Sequence, residues 1–305
     1  MHHITFVHGI GNKPPADRLL GLWRQALAAG GGFDLEAAGV TSRIVYWADV
    51  LHAAPLAEAR SDDGLTDGEF DAAGDNDVTE LLPRTLLETH FLAMLAAKVG
   101  GALVADIFAS LDRTEQPLLL TSQLSRGIRR RLLEAFLRDA HHYLFDVEHQ
   151  PRPGQVYRVR QEINRRFVNA IAAVPQGARH VVVGHSLGSV IAYDCLKNVG
   201  ACPNIDALVS IGSPLGLSEV QDRLEPGYSK RDGFPSDKLS GPWFNLSDRF
   251  DPVCGLDVKL ASDYRAKGER RVRDHIVTNG DPRHAVAEYL ARPRVRAAIR
   301  SCLGL

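Results

Sequence analysis

The chain reads as an α/β protein built on a mostly parallel sheet of about six strands covered by helices, and three observations predict this. Short apolar runs alternate with segments of helical period at both ends of the chain. One run, Val181-Val182-Val183, is unbroken, as a strand buried on both faces of a parallel sheet requires. Glycine-rich turns follow the ends of several runs, which is where sites form in open α/β sheets.

The elements follow in order. Ile4 to Val7 is a strand that runs into His8-Gly9-Ile10-Gly11-Asn12, and after Pro14-Pro15 a helical pattern appears at Leu19, Leu20, Trp23 and Leu27. Ser42 to Trp47, rich in β-branched and aromatic residues, is a second strand ending near Asp49. The alternation resumes after Pro151 and Pro153 with a helix carrying Val159, Ile163, Phe167 and Ile171 on one face. Then come the strand Arg179 to Gly184, a helix from Leu187 to about Asn198, strands at 207–211, 243–246 and 272–277, and a closing helix from about Ala285.

Between these halves the rhythm stops, so residues 1–49 and 156–305 form the expected core and 50–155 one insertion. Within it, residues 58–80 carry nine acidic groups against the single Arg60, which predicts a loop. Helices follow it: Leu103, Ile107 and Leu111 repeat at four, as do Ile128, Leu132, Phe136 and Ala140. The arginines 126, 129, 130, 131 and 138 fall mostly off that stripe, where a solvated face is expected and peripheral contact with anionic lipid is the alternative. Phe91 to Leu111 is apolar, but Lys98, Gly100-Gly101 and Asp106 interrupt it, which argues against a spanning helix and for a lid.

Composition narrows the function. In 305 residues, 36 Lys and Arg balance 37 Asp and Glu, leaving net charge −1 and no global field to hold nucleic acid. Four cysteines without CxxC pairing suit a reducing compartment, and the N-terminus lacks the segments of a signal peptide, so the cytoplasm is the expected location. His141, His142, Glu148 and His149 lack the spacing of a metal site and read as solvent-facing, so no metal is expected.

The sharpest motif is Gly184-His185-Ser186-Leu187-Gly188, which lies directly between a strand and a helix. A nucleophile on so sharp a turn needs glycines two residues either side, where Cβ atoms would obstruct backbone packing, and the helix N-terminus favours developing negative charge. Acyl transfer also needs two N–H donors for the oxyanion; one would be Leu187, and the glycine-rich loop after the first strand can supply the other. A dinucleotide loop is excluded there, since Pro14 stands where the third glycine belongs, and no organic cofactor is expected.

On Val7-His8-Gly9-Ile10-Gly11, Gly184-His185-Ser186-Leu187-Gly188, Gly212-Ser213-Pro214 and Asp251-Pro252-Val253, the sequence resembles the α/β-hydrolase superfamily, particularly its lipase- and esterase-like bacterial members. The resemblance covers both flanks but not residues 50–155, and the two strands that precede the oxyanion strand in the fuller family sheet are absent. It implies a Ser–His–Asp triad in the order nucleophile, acid, histidine, with Ile10 and Leu187 as oxyanion donors. The acid then follows the strand 243–246: Asp251 fits best because of its Pro252-Val253 turn, with Asp248 as the alternative. The histidine is His284, in a loop before the last helix, rather than His275 inside a strand. The expected activity is hydrolysis of a small-molecule ester or lipid by Ser186, Asp251 and His284. Thioester, amide or acyl-transfer chemistry on the same triad is the alternative, as is a silent fold serving as an interaction module.

Overall fold

The computed structural model describes residues 1–56, 85–100, 136–224, 226–254, 257–280 and 283–305. The expected acidic loop 58–80 and the repeats at Leu103–Leu111 and Ile128–Leu132 lie outside the described residues.

Six strands form one parallel sheet: β1 (His2–Val7), β2 (Val40–Val45), β3 (Arg179–His185), β4 (Ala207–Ile211), β5 (Trp243–Ser247) and β6 (Val272–Ile276), in the order β6-β5-β4-β3-β1-β2. In the valine run of β3 the side chains alternate between two cores although all are apolar. Val182 joins one cluster with Ile163, Phe167, Val190 and Ile191, while Val181 and Val183 join the other with Leu19, Trp23, Leu27 and Ile299. Helices therefore cover both faces. On one lie α1 (Ala16–Ala28), α6 (Val286–Ala291) and α7 (Pro293–Leu303); on the other lie α4 (Val159–Ala172) and α5 (Leu187–Asn198). A six-strand parallel sheet between two helical layers is a mixed α/β architecture, consistent with an α/β-hydrolase-like fold.

Two further helices come from the middle of the chain: α2 (Leu86–Gly100) and α3, residues 136–144. Phe136, Ala140 and Tyr143 of α3 are wholly buried in the core on one face of the sheet, and Asp139 of the same helix accepts from the Gly11 N–H, which brings the segment against the loop after β1. Its polar groups are buried with it. Arg138 is ion-paired to Asp139 with its side chain only 12% exposed, and His141 and His142 are buried, against the solvent-facing positions expected for them. The His141 ring contacts Glu88 at 3.0 Å, while His142 Nδ1 donates to the Arg138 carbonyl and burial lowers its pKa to about 4. No helix among the described residues is long and apolar enough to cross a membrane.

Two boundaries differ from the sequence reading. β2 ends at Val45 because the Trp47 N–H turns from the ladder to donate to His8 Nε2, and its indole stacks on the His8 ring. The closing helix is two helices, because Pro293 cannot donate to the preceding turn and Arg292 adopts an extended backbone before it.

Candidate active site

β1 and β3 run side by side, Val7 level with Gly184, so the two glycine motifs emerge together at the carboxyl edge of the sheet. Between β3 and α5 the chain turns on one residue, Ser186, at φ 52° and ψ −129°, a region few non-glycine residues enter. Its N–H donates to the Ile211 carbonyl at 3.0 Å, which ties the turn to the end of β4. The flanking glycines leave no room for a side chain. A Cβ on Gly188 would lie 2.2 Å from the Val7 carbonyl oxygen, and one on Gly184 would lie 2.7 Å from the Ser189 Cα. Gly9 passes so close that its Cβ would stand 2.8 Å from that of Ser186.

Asp251 and His284 meet beside this turn. The Asp251 carboxylate accepts from His284 Nδ1 at 2.8 Å, from the Tyr289 hydroxyl at 2.7 Å and from the Val253 N–H at 2.8 Å, and all of it is buried. A carboxylate can only accept, so Nδ1 carries the proton and, in the neutral ring, Nε2 holds a lone pair. His284 Nε2 and Ser186 Oγ are both buried without a hydrogen-bond partner among the described residues, so no bond joins them in this structure. They share one neighbourhood: Gly212 follows the carbonyl that holds Ser186, and a Cβ on it would lie 3.1 Å from Asp251 Oδ2 and 3.4 Å from His284 Cε1.

The alternative residues are engaged elsewhere. Asp248 accepts from the Asn279 N–H at 2.7 Å, from Arg283 at 3.1 Å and from the Phe250 N–H at 2.8 Å, so it shapes the loop that carries His284 without touching the ring. His275 lies in β6 and stacks on Phe244.

Leu187 follows the serine in the chain, and Ile10 follows Gly9, the β1-loop residue that packs against it. Leu187 opens α5, where backbone N–H groups lack intrahelical acceptors. The N–H groups of both residues make no hydrogen bond among the described residues.

Several residues around the site carried no motif. His8 is buried with its ring 4.6 Å from that of Trp47; its Nδ1 donates to the Gly9 carbonyl at 2.8 Å, and burial followed by the nearby Lys13 charge lowers its pKa to about 3. His185 donates from Nε2 to the His284 carbonyl at 2.9 Å, and burial and the neighbouring His284 keep it neutral, well below its ordinary pKa. Lys13 and Asp139 are buried against the β1 loop. The one available signal for Asp139 was its position three residues after Phe136, on the apolar face of its helix. Among the described residues no group of three or more His, Cys, Asp and Glu side chains converges as a metal site would.

No protein-family model matches the chain, and no curated protein matches it. Among solved structures it is similar to an uncharacterized protein from Pseudomonas aeruginosa, at 12% identity over 99% of this chain and 46% of that one, with a TM-score of 0.36. It is also similar to acetyl xylan esterase 1 from Thermoanaerobacterium sp. JW/SL YS485, at 13% identity over 100% of this chain and 74% of that one, with a TM-score of 0.35. The chain thus spans less than half the length of the Pseudomonas protein.

Proposed function

We propose that the protein is a serine hydrolase of the α/β-hydrolase kind that cleaves carboxylic esters, with Ser186 as nucleophile, His284 as base and Asp251 as its orienting acid. The observation that carries this reading is the buried Asp251–His284 hydrogen bond, which leaves His284 Nε2 as the free basic atom beside a serine held at a strained turn. His284 Nε2 takes the Ser186 Oγ proton as the oxygen attacks the ester carbonyl, and Asp251 holds the tautomer and balances the imidazolium. The Ile10 and Leu187 N–H groups receive the oxyanion. Collapse returns the proton to the departing alcohol. Water, deprotonated by the same His284, then attacks the acyl-enzyme and releases the acid with Ser186 restored.

The substrate is a small ester or a lipid. Residues 50–155 act as the cap that shapes the pocket, and the apolar runs in their sequence motivate a lid. Turnover of p-nitrophenyl esters of short and long acyl chains tests the activity, with wild type set against Ser186→Ala. Wild type is expected to turn over and to be labelled by a fluorophosphonate, and Ser186→Ala to do neither. Turnover that survives Ser186→Ala, or a wild type inert to every ester and to the label, sinks the proposal. Specific activity that rises above the solubility limit of a triglyceride is expected for a lipase-type lid, and unchanged activity there favours a carboxylesterase.

A further inference from the structure

The loop after β1 carries two consecutive peptide groups whose orientation decides where the Ile10 N–H points. In the first, between Gly9 and Ile10, the carbonyl accepts from His8 Nδ1 at 2.8 Å. A trans peptide directs its C=O and N–H to opposite sides, so that bond turns the Ile10 N–H away from His8. The second, between Ile10 and Gly11, is held at both ends. Its carbonyl accepts from Lys13 Nζ at 2.6 Å, and its N–H donates to Asp139 Oδ2 at 2.6 Å. Of the four polar groups on this strip, three are bound by buried side chains, and the Ile10 N–H alone has no hydrogen bond among the described residues.

We propose that Lys13 and Asp139 are positioning residues for this hydrolase, a two-sided brace on the Ile10–Gly11 peptide that fixes the oxyanion donor; this rests on the serine-hydrolase reading above. The backbone alone does not hold such a peptide. Gly11 sits at φ 80°, and neither it nor Gly9 carries a side chain, so the intrinsic backbone preferences of the two flanking residues do not select one orientation of the peptides between them. The two partners are also fixed in place: both are buried, Lys13 at 2% and Asp139 at 0% exposure, and Asp139 is tied to Arg138 as well, so neither can swing away from the peptide it holds. Asp139 stays ionised despite its burial. Desolvation pushes its carboxyl up, but Arg138, His52 and the Gly11 N–H outweigh that and hold it below its ordinary value.

The brace also joins distant parts of the chain. Asp139 lies 128 residues from Gly11 and is carried by α3, whose Phe136 and Ala140 anchor it in the core. The middle of the chain therefore supplies part of the catalytic frame as well as cover over it.

The test uses Lys13→Met, Asp139→Ala, the milder Asp139→Asn and the double variant Lys13→Met/Asp139→Ala, on p-nitrophenyl acetate and a trifluoromethyl ketone that forms an oxyanion adduct with the serine. Each single truncation is expected to lower kcat about 10- to 100-fold with KM nearly unchanged, because misplacement of a catalytic group by about 1 Å costs that much. Ketone inhibition should weaken by the same factor, and Lys13→Arg should restore part of the loss. Because both side chains hold one peptide, the double variant should lose little more than the worse single. A kcat within twofold of wild type in folded variants, unchanged ketone affinity, or fully multiplicative losses would overturn the brace while leaving the hydrolase reading intact. A wild type without Ser186-dependent turnover removes both. Circular dichroism reports folding, and if Asp139→Ala does not fold, Asp139→Asn and Lys13→Met carry the test.

Discussion

Two turns at the carboxyl edge of the sheet are built in opposite ways. The turn between β3 and α5 is held by short-range geometry: glycines at 184 and 188 admit no Cβ, and the Ser186 N–H is fixed by the adjacent strand. The turn after β1 is held by side chains, His8 from its own strand end, Lys13 from just downstream and Asp139 from far along the chain. In the proposed mechanism each supplies one N–H for the oxyanion, Leu187 from the first and Ile10 from the second. The first kind of turn is written into five consecutive residues, while the second exists only once the chain has folded. The difference separates what a mutation does at each, since a steric turn fails as a fold and a braced turn fails as an orientation.

The largest expected effect tests whether catalysis depends on one carboxylate of two near neighbours. Asp251→Asn keeps the shape of the side chain but permits the wrong His284 tautomer, and kcat should fall about 10⁴-fold with little change in KM. Asp248→Asn, which disturbs the loop contacts to Asn279, Arg283 and Phe250, should leave kcat within about tenfold and lower the melting temperature instead. Steady-state kinetics on one ester separates them, and equal losses would mean that Asp248 also governs the histidine.

The steric turn is broken by Gly188→Ala. The added methyl would press on the carbonyl oxygens of Val7 at 2.2 Å and His8 at 2.5 Å, both backbone atoms of the central strand region. The expected cost is about 3 kcal/mol of stability, at the severe end of overpacking, read by urea denaturation. Activity should disappear with the turn. By contrast, Lys13→Met should keep most of its fold and lose rate, and if the two variants show the same balance of instability and rate loss, the distinction between the turns fails.

Much of this was legible in the sequence because it is local. The alternation of strands and helices, the unbroken Val181 to Val183 run and the spacing of Gly184, Ser186 and Gly188 each follow from the sterics of a few neighbouring residues. Asp251 and His284 were reachable through the order of nucleophile, acid and histidine that the family resemblance implies, and the structure joins them by a hydrogen bond. What stayed hidden depends on long-range burial. Asp139 looked like one more charge on a helix and His142 like a surface histidine, because the partners that bury them, the β1 loop and neighbouring helices, are far away in sequence. Periodicity placed Phe136 and Ala140 on the inner face correctly, yet it treats a charge on that face as an interruption when it is the functional group.

The smallest effect concerns what the two turns share, since each strand leading into them ends in a buried neutral histidine, His8 for one and His185 for the other. Burial and neighbouring positive charge lower both pKa values, His8 to about 3 and His185 well below the ordinary 6.5. In the unfolded chain both imidazoles titrate near 6.5, so below that pH the unfolded state binds protons that the folded state refuses. The sign is therefore destabilisation in acid: the full contribution is present above about pH 6.5, declines as pH falls, and for His8 stops declining only near its folded value of about 3. Each such histidine contributes up to about 1.4 kcal/mol per pH unit across that window. Buried His52, His142 and His180, each lowered to about 4, add to the same slope and level off sooner. Melting temperature should be flat between about pH 7 and 8 and fall steadily from about pH 6 to 4. His8→Gln should start lower, having lost the bond that orients the Gly9 carbonyl, but fall less steeply. An acid slope unchanged by His8→Gln would mean that the histidine is not held neutral, and the first peptide of the β1 loop would then be fixed by some other group.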